Sequence, residues 1–218
     1  MAFNKIKTIL ALLPLTWHFS CAQPKHKINP EARKLNDSAI NIVFRGIPTD
    51  SGAYKNAISV LNQATNIDSD YYIAYKNRFS YQSALKQYGG ALESAKHMLK
   101  LHPNDPNVLT LTGEAYEWTG DKKTATSYYE KALPNYNKLL DTMSIKNRGY
   151  SGFVISKATV LTLLNKKEQS DTYIKEVLKK DTDPINKEFY EAMSAYNRND
   201  LLYWKTITVS ENANPVKH

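Results

Sequence analysis

Apolar and small residues recur at intervals of three and four positions along most of the chain. Ala125, Tyr129 and Ala132 form the clearest such run. This spacing places their side chains on one face of a helix, so it predicts amphipathic helices. Asp105-Pro106 precedes an earlier run, and an acidic residue before proline is a common helix start. The pattern therefore predicts a series of helices joined by turns.

The helical pattern itself repeats. Ala57, Ala91 and Ala125 are 34 residues apart. A period of this length indicates stacked copies of a pair of antiparallel helices, because one such pair cannot bury its apolar face alone. The predicted units span residues 38–71, 72–105, 106–139 and 151–184, with a partial unit from 185.

The third unit carries the most complete set of motif positions. They are Gly113, Tyr116, Gly120, Ala125, Tyr129 and Ala132. This set resembles the tetratricopeptide repeat, and units one and two match it with fewer positions. Unit four is degenerate, since Asn165 and Ser170 replace the glycine and alanine. The resemblance implies an all-α, right-handed solenoid of about four antiparallel helix pairs, closed by a C-terminal helical cap.

Two segments depart from the repeat. Gly46-Ile47-Pro48 interrupts the first unit, so its first helix is predicted early, over 31–45, with a loop over 46–51. Eleven extra residues, 140–150, separate units three and four. The second helix of unit three is predicted to continue to about Asp141, with Pro134 kinking or resetting it.

The amino terminus has the features of an export signal. Lys5 and Lys7 precede a short apolar run over 9–15, which is shorter than the roughly 20 residues needed to span a bilayer. A cleaved export signal is therefore predicted over 1–21, with the cleavage site near the end of this segment. Residues 22–30 are polar with two prolines and are predicted to form a tether. The repeat domain is predicted over 31–207 and a disordered tail over 208–218.

Cys21 is the only cysteine of the chain, so it has no intrachain disulfide partner. The segment from His18 to Cys21 resembles the lipobox of bacterial lipoproteins, with His18 where that family has an aliphatic residue. The resemblance implies that Cys21 carries the lipid anchor. The absence of an acidic residue directly after it implies an outer-membrane lipoprotein facing the periplasm. The alternative is ordinary signal cleavage beside an incidental cysteine.

The composition narrows the chemistry. The formal net charge is +8, but the lysines are scattered and form no basic stripe, so no nucleic-acid partner is predicted. No pair of the five histidines has the spacing of metal ligands. No glycine-rich phosphate loop or nucleophile elbow is present. We therefore predict no metal, no cofactor and no enzymatic activity.

The concave wall of a tetratricopeptide stack is formed by the first helix of each pair. Carried over by register, the resemblance implies a partner-binding groove formed by Lys76, Ser80, Ser83, Asn107, Thr110, Glu114, Glu117, Trp118, Ile155, Thr159 and Thr162. The alternative is that these residues only form solvated helix faces. The clamp that binds chaperone tails is not expected, because only one of its five positions is matched.

The predicted function is a membrane-anchored, non-enzymatic scaffold or adaptor that binds a protein or peptide partner in this groove. The alternative is a lipoprotein that binds glycans or peptides for nutrient uptake. The fifteen tyrosines permit stacking on sugars. Tyr54, Tyr88, Tyr116 and Tyr129 occupy packing positions of the repeat, whereas Tyr71, Tyr72 and Tyr75 are open to either role.

Overall fold

The computed structural model describes residues 26–46 and 51–203. Within these ranges the chain forms ten α-helices and no strand. The helices are α1 (Pro30–Arg45), α2 (Ser51–Ile67), α3 (Tyr72–Ala84), α4 (Tyr88–Leu101), α5 (Pro106–Trp118), α6 (Lys122–Thr142), α7 (Tyr150–Leu163), α8 (Lys167–Leu178), α9 (Pro184–Ser194) and α10 (Arg198–Tyr203). No helix in the described ranges combines the length and apolar character needed to cross a bilayer. The predicted signal, Cys21 and the predicted tail lie outside the described residues.

The described chain divides into two compact units. The amino-terminal unit, from residue 26 to 103, holds the hairpins α1–α2 and α3–α4. The carboxy-terminal unit, from residue 104 to 203, holds the hairpins α5–α6 and α7–α8, followed by α9 and α10. This arrangement confirms the predicted all-α helical-repeat solenoid class.

Small residues allow the two helices of each hairpin to pack closely. Ala57, Ala91 and Ala125, which define the period, are all buried. Gly113 of α5 faces α6 so closely that an added Cβ would lie 2.5 Å from the Tyr129 ring. The periodic positions are therefore set by the space between paired helices.

Local side-chain bonds begin several helices. Asp105 accepts hydrogen bonds from the backbone N–H groups of Asn107 and Val108, at 2.8 and 3.1 Å. Asp121 and Asp183 do the same at the starts of α6 and α9. These bonds satisfy donors that have no partner within the helix.

The turns of the hairpins α3–α4, α5–α6 and α7–α8 each contain one residue with a left-handed backbone conformation. Gly120 has φ +94°, Lys86 has φ +57° and Asn165 has φ +60°. Asn165 therefore replaces the repeat glycine with a residue that tolerates this conformation. Lys86 adopts it at a conformational cost, because its Cβ approaches the neighbouring carbonyl.

Two predicted boundaries agree with the structure. The sequence predicts the first helix over 31–45, and the structure has α1 at Pro30–Arg45. The second helix of unit three was expected to end near Asp141, and α6 ends at Thr142. Pro134 lies inside α6, which is one continuous helix, so the predicted reset of the helix at this proline does not occur.

The folded end of the predicted tether needs correction. The carboxylate of Asp68, between α2 and α3, accepts hydrogen bonds from the His26 ring and the Asn29 backbone, both at 2.8 Å. Ile28 packs against the core of the amino-terminal unit. Residues 26–30 thus belong to the folded unit, because these contacts hold them to the loop after α2. The tether prediction for 22–25 lies outside the described residues.

Candidate partner-binding surfaces

The short helix α10 folds back onto the ends of α5 and α7 within the carboxy-terminal unit. Trp118 Nε1, at the end of α5, donates a hydrogen bond to the Leu202 carbonyl at 2.9 Å. Arg198 Nε donates to the Leu163 carbonyl, at the end of α7, at 2.9 Å. Leu201 and Leu202 are both buried. The chain therefore covers this surface with its own last described helix.

A buried carboxylate lies under α10. Glu117 forms an ion pair with Arg198 through one oxygen, and its other oxygen accepts a hydrogen bond from the Tyr129 hydroxyl at 3.1 Å. Burial raises the pKa of Tyr129, and the negative charges of Glu114 and Glu117 raise it further. The phenol therefore stays protonated and acts as a donor. We call the surface formed by Glu117, Trp118 and the Leu163 carbonyl the α5–α7 surface.

Several residues predicted to line the groove are buried and do not reach the solvent. Thr110 and Thr162 are buried, and their hydroxyls donate to the carbonyls of Pro106 and Ala158 in their own helices. Glu114 is 2% exposed. The register predicted these three residues at a solvent-facing wall, and the structure corrects that placement because they are enclosed within the unit. Glu117 is likewise buried, beneath Arg198.

The other predicted groove residues of this unit are half-buried. Asn107 Oδ1 accepts a hydrogen bond from the Tyr136 hydroxyl at 2.9 Å. Thr159 lies 3.6 Å from the Met193 sulfur of α9. Ile155 is half-buried. Asn107 and Thr159 therefore take part in packing between helices of the unit.

On α3, two of the three predicted groove residues reach the surface. Lys76 and Ser80 are half-buried. Ser83 is buried, and its hydroxyl donates to the Ser80 carbonyl at 2.9 Å. Ser83 therefore does not line a groove, because its polar group is used within the helix.

The repeat register did not predict a row of side chains along one side of α1, which we call the α1 stripe. Arg33, Asp37, Ile40 and Phe44 recur at helical spacing, and Phe44 is 81% exposed. Burial raises the pKa of Tyr71 at the start of α3, and the charge of Asp37 raises it while that of Arg33 lowers it. Arg33 and Asp37 therefore lie near the start of α3. The spacing of four, three and four was the signal that could have revealed the α1 stripe.

One polar contact joins α1 to α3. Asn77 Nδ2 donates to Asn36 Oδ1 of α1 at 2.8 Å, which ties the two helices together. Ser80 lies three positions after Asn77, on the same side of α3. We call the exposed and half-buried residues on this side the α1–α3 surface. Its members are Arg33, Asp37, Ile40, Phe44, Lys76 and Ser80.

The tyrosines left open by the sequence are packing residues. Tyr71, Tyr72 and Tyr75 are all buried. The Tyr75 ring stacks on the His97 ring with centroids 4.6 Å apart, and Tyr72 meets the His102 ring edge-on at the same distance. None of these three rings offers an open face for a sugar.

Acidic residues between helices have structural roles. Asp181 is buried and accepts hydrogen bonds from the Tyr190 hydroxyl at 2.7 Å and the Asn186 amide at 3.0 Å. Burial and this carboxylate raise the pKa of Tyr190. Across the described residues, no cluster of three histidine, cysteine, aspartate or glutamate side chains could hold a metal ion.

Comparison with known proteins supports the fold. No protein-family model matches the chain. A stretch of 80 residues, 37% of the chain, is 34% identical to the heat shock protein sti1 homolog of Schizosaccharomyces pombe. The match spans 14% of that relative, so the chain corresponds to a small part of its length.

Solved structures resemble the chain over most of its length. PilW, a widely conserved type IV pilus biogenesis factor, superposes with a TM-score of 0.50 at 15% identity, over 76% of this chain and 77% of PilW. A tetratricopeptide repeat protein from Parabacteroides merdae gives a TM-score of 0.48 at 18% identity, over 76% of this chain and 59% of that one. A thermophilic TPR protein of Thermus thermophilus gives 0.49 at 18% identity, over 80% and 87%.

The paired helices, their 34-residue period and the buried alanines define a helical-repeat protein. The motif positions within those pairs match the tetratricopeptide repeat, and the chain has a tetratricopeptide-repeat fold.

Proposed function

We propose that the protein is a non-enzymatic scaffold that binds a protein or peptide partner through the α1–α3 surface. The observation that carries the proposal is Phe44, a large aromatic side chain that is 81% exposed on a helix whose other apolar residues are at least partly buried. Aromatic side chains are enriched at protein interfaces and among the residues that contribute most to binding.

The chemistry of the surface suits a polypeptide. Phe44 and Ile40 supply apolar contact, Arg33 and Lys76 supply cationic groups, and Asp37 supplies an anionic one. Aromatic and arginine side chains carry much of the binding energy of protein interfaces. Mixed charges of this kind select a partner by complementarity more than by net charge.

A lipid anchor at Cys21 is a second part of the proposal. The sequence supports an exported lipoprotein of the cell envelope, held in the outer membrane and facing the periplasm. The first described residue, His26, follows Cys21 by five residues, a length that reaches at most about 18 Å when extended. Since His26 and Asn29 bind Asp68, this anchor would hold the amino-terminal unit close to the membrane surface.

Partner capture tests the binding surface. In-cell cross-linking followed by affinity capture should recover a partner with the unmodified chain and lose it with Phe44→Ala combined with Lys76→Glu. Ile185→Ala is the matched control, because Ile185 is also an exposed apolar side chain, at 65%, on α9. Equal capture by the double variant, with unchanged helicity, would refute the surface assignment.

Membrane fractionation tests the anchor separately. Cys21→Ser should move the protein from the membrane fraction to the soluble fraction without changing its circular dichroism spectrum. A Cys21→Ser protein that stays in the membrane fraction would rule out the lipid anchor and leave the binding surface to its own test.

A further inference from the structure

The position of α10 is decided by the surface that it covers. Six residues are too few to form a stable helix alone, because nucleation is unfavourable and few internal hydrogen bonds follow. Its contacts with the rest of the unit include one main-chain bond to Trp118, two interactions of Arg198, and the burial of Leu201 and Leu202. A short helical ligand bound in a groove makes contacts of the same kind.

The Arg198 guanidinium interacts with two groups of the surface beneath α10. It donates to the Leu163 carbonyl at the end of α7, where the helix dipole is negative and final carbonyls lack intrahelical partners. It also neutralises the Glu117 carboxylate, whose side chain is 3% exposed. A planar guanidinium can satisfy both groups at once, which an ammonium does less well.

The buried carboxylate of Glu117 makes the surface beneath α10 favour a cationic ligand. A buried carboxylate without its partner is costly, because the protein interior solvates charge poorly. Removing α10 would break the ion pair of Glu117 with Arg198. The hydrogen bond from the Tyr129 hydroxyl to Glu117 would remain. Trp118 would lose the acceptor of its indole N–H. The exposed site would therefore favour a segment that restores both interactions.

We propose that α10 is a ligand bound in cis, and that the α5–α7 surface is a second binding site that accepts a helical segment of a partner protein with arginine followed by two leucines at the third and fourth positions. This inference rests on the proposed role of the helix pairs as partner-binding surfaces. Partner and α10 compete, so the site is closed until a segment of matching chemistry displaces Arg198–Tyr203.

Trans binding of a peptide tests the proposal on the full chain. The probe is a fluorescein-labelled peptide with the sequence of residues 195–203. Arg198→Glu combined with Leu201→Ser should release α10, because a second carboxylate then faces Glu117 and one apolar anchor is lost. Fluorescence anisotropy should show at least tenfold tighter peptide binding to this variant than to the unmodified chain.

Matched controls separate specific binding of the peptide from non-specific binding. Asn199 is on the exposed side of α10, so Asn199→Ala should bind the peptide as weakly as the unmodified chain. A peptide in which glutamate replaces the arginine should not bind the released variant. If the released variant keeps its helicity and binds the peptide no better than the unmodified chain, α10 is a structural cap and the proposal fails.

Hydrogen exchange on the unmodified chain gives a second test that needs no folded variant. The Leu201 N–H is bonded to the Asn197 carbonyl at 3.1 Å, so it reports on α10. Excess unlabelled peptide should accelerate exchange at Leu201 and leave α6 unchanged. Unaltered exchange at saturating peptide would overturn competition. This result is independent of partner capture at the α1–α3 surface, so either proposal can fail alone.

Discussion

The ion pair between Glu117 and Arg198 joins residues 81 positions apart and holds α10 on the carboxy-terminal unit. The side chain of Glu117 is 3% exposed and that of Arg198 is 26% exposed. Because this carboxylate is buried, the pair stabilises the unit mainly by preventing an uncompensated charge.

Removing the cation should therefore be costly. Arg198→Ala should lower the free energy of unfolding by about 3 kcal/mol, as expected for a buried charge that loses its partner. Urea denaturation monitored by circular dichroism measures this. Lys179→Ala is the control, since the Lys179–Glu176 pair is exposed at both ends, and its effect should stay within about 0.5 kcal/mol. Equal effects of the two variants would contradict a buried role for Glu117.

Replacing Lys86 by glycine should stabilise the protein. The Lys86 φ of +57° in the turn between α3 and α4 is unfavourable for a residue with a Cβ. Lys86→Gly should raise the free energy of unfolding by about 1 kcal/mol. Lys55→Gly, at an exposed position inside α2, should lower it by about 1 kcal/mol. Loss of stability in both variants would show that Lys86 makes contacts that outweigh its backbone conformation.

The interface between α5 and α6 should reject a single methyl group. Gly113→Ala would place its Cβ 2.5 Å from the Tyr129 ring and 3.1 Å from the Ala125 carbonyl. Overpacking of this kind should lower the melting temperature and cost about 1–3 kcal/mol. Gly89→Ala in α4 meets nothing within 4 Å and should be neutral or stabilising. Comparable melting temperatures for the two variants would refute the close approach.

Acid should weaken the amino-terminal unit through Asp68. Burial alone would raise the pKa of this carboxyl, but hydrogen bonds from the Asn29 backbone, His26 and the Asp70 backbone outweigh it and lower the pKa below its ordinary value of 3.8. A lowered folded pKa means that the stabilisation is present above about pH 4 and is lost as the pH falls through the folded pKa.

Thermal unfolding between pH 6 and pH 2 measures this dependence. Asp68→Asn should flatten the fall in melting temperature, because the amide does not titrate. Asp70→Asn is the matched control, since Asp70 contributes only its backbone N–H to Asp68, and it should keep the dependence of the unmodified chain. An unchanged profile in Asp68→Asn would show that this carboxylate does not link pH to stability.

The repeat was predictable from sequence because its causes are local or periodic. Ala57, Ala91 and Ala125 are buried where the period placed them, and α1 follows Asn29 and begins at Pro30, two residues that favour a helix start. A close approach between paired helices demands a small residue at a fixed place in each unit. This requirement makes small residues recur at a fixed period, which can be read from a single sequence.

The binding surfaces were less predictable because their causes lie far apart in the chain. The register treated Glu117 and Trp118 as open wall positions, but α10 returns to cover them. No local spacing connects Arg198 with Glu117. Phe44 was overlooked for a different reason, since the interruption at Gly46 shifts the first helix out of the common register.

Site-specific photo-cross-linking tests the scaffold proposal most directly. A photoreactive amino acid at position 44, introduced into the full chain in cells, should give one discrete cross-linked product that contains a second polypeptide. The same amino acid at position 67, which is 40% exposed on α2, should give none. A product at position 67 and none at position 44, or no product at either, would contradict partner binding at the α1–α3 surface.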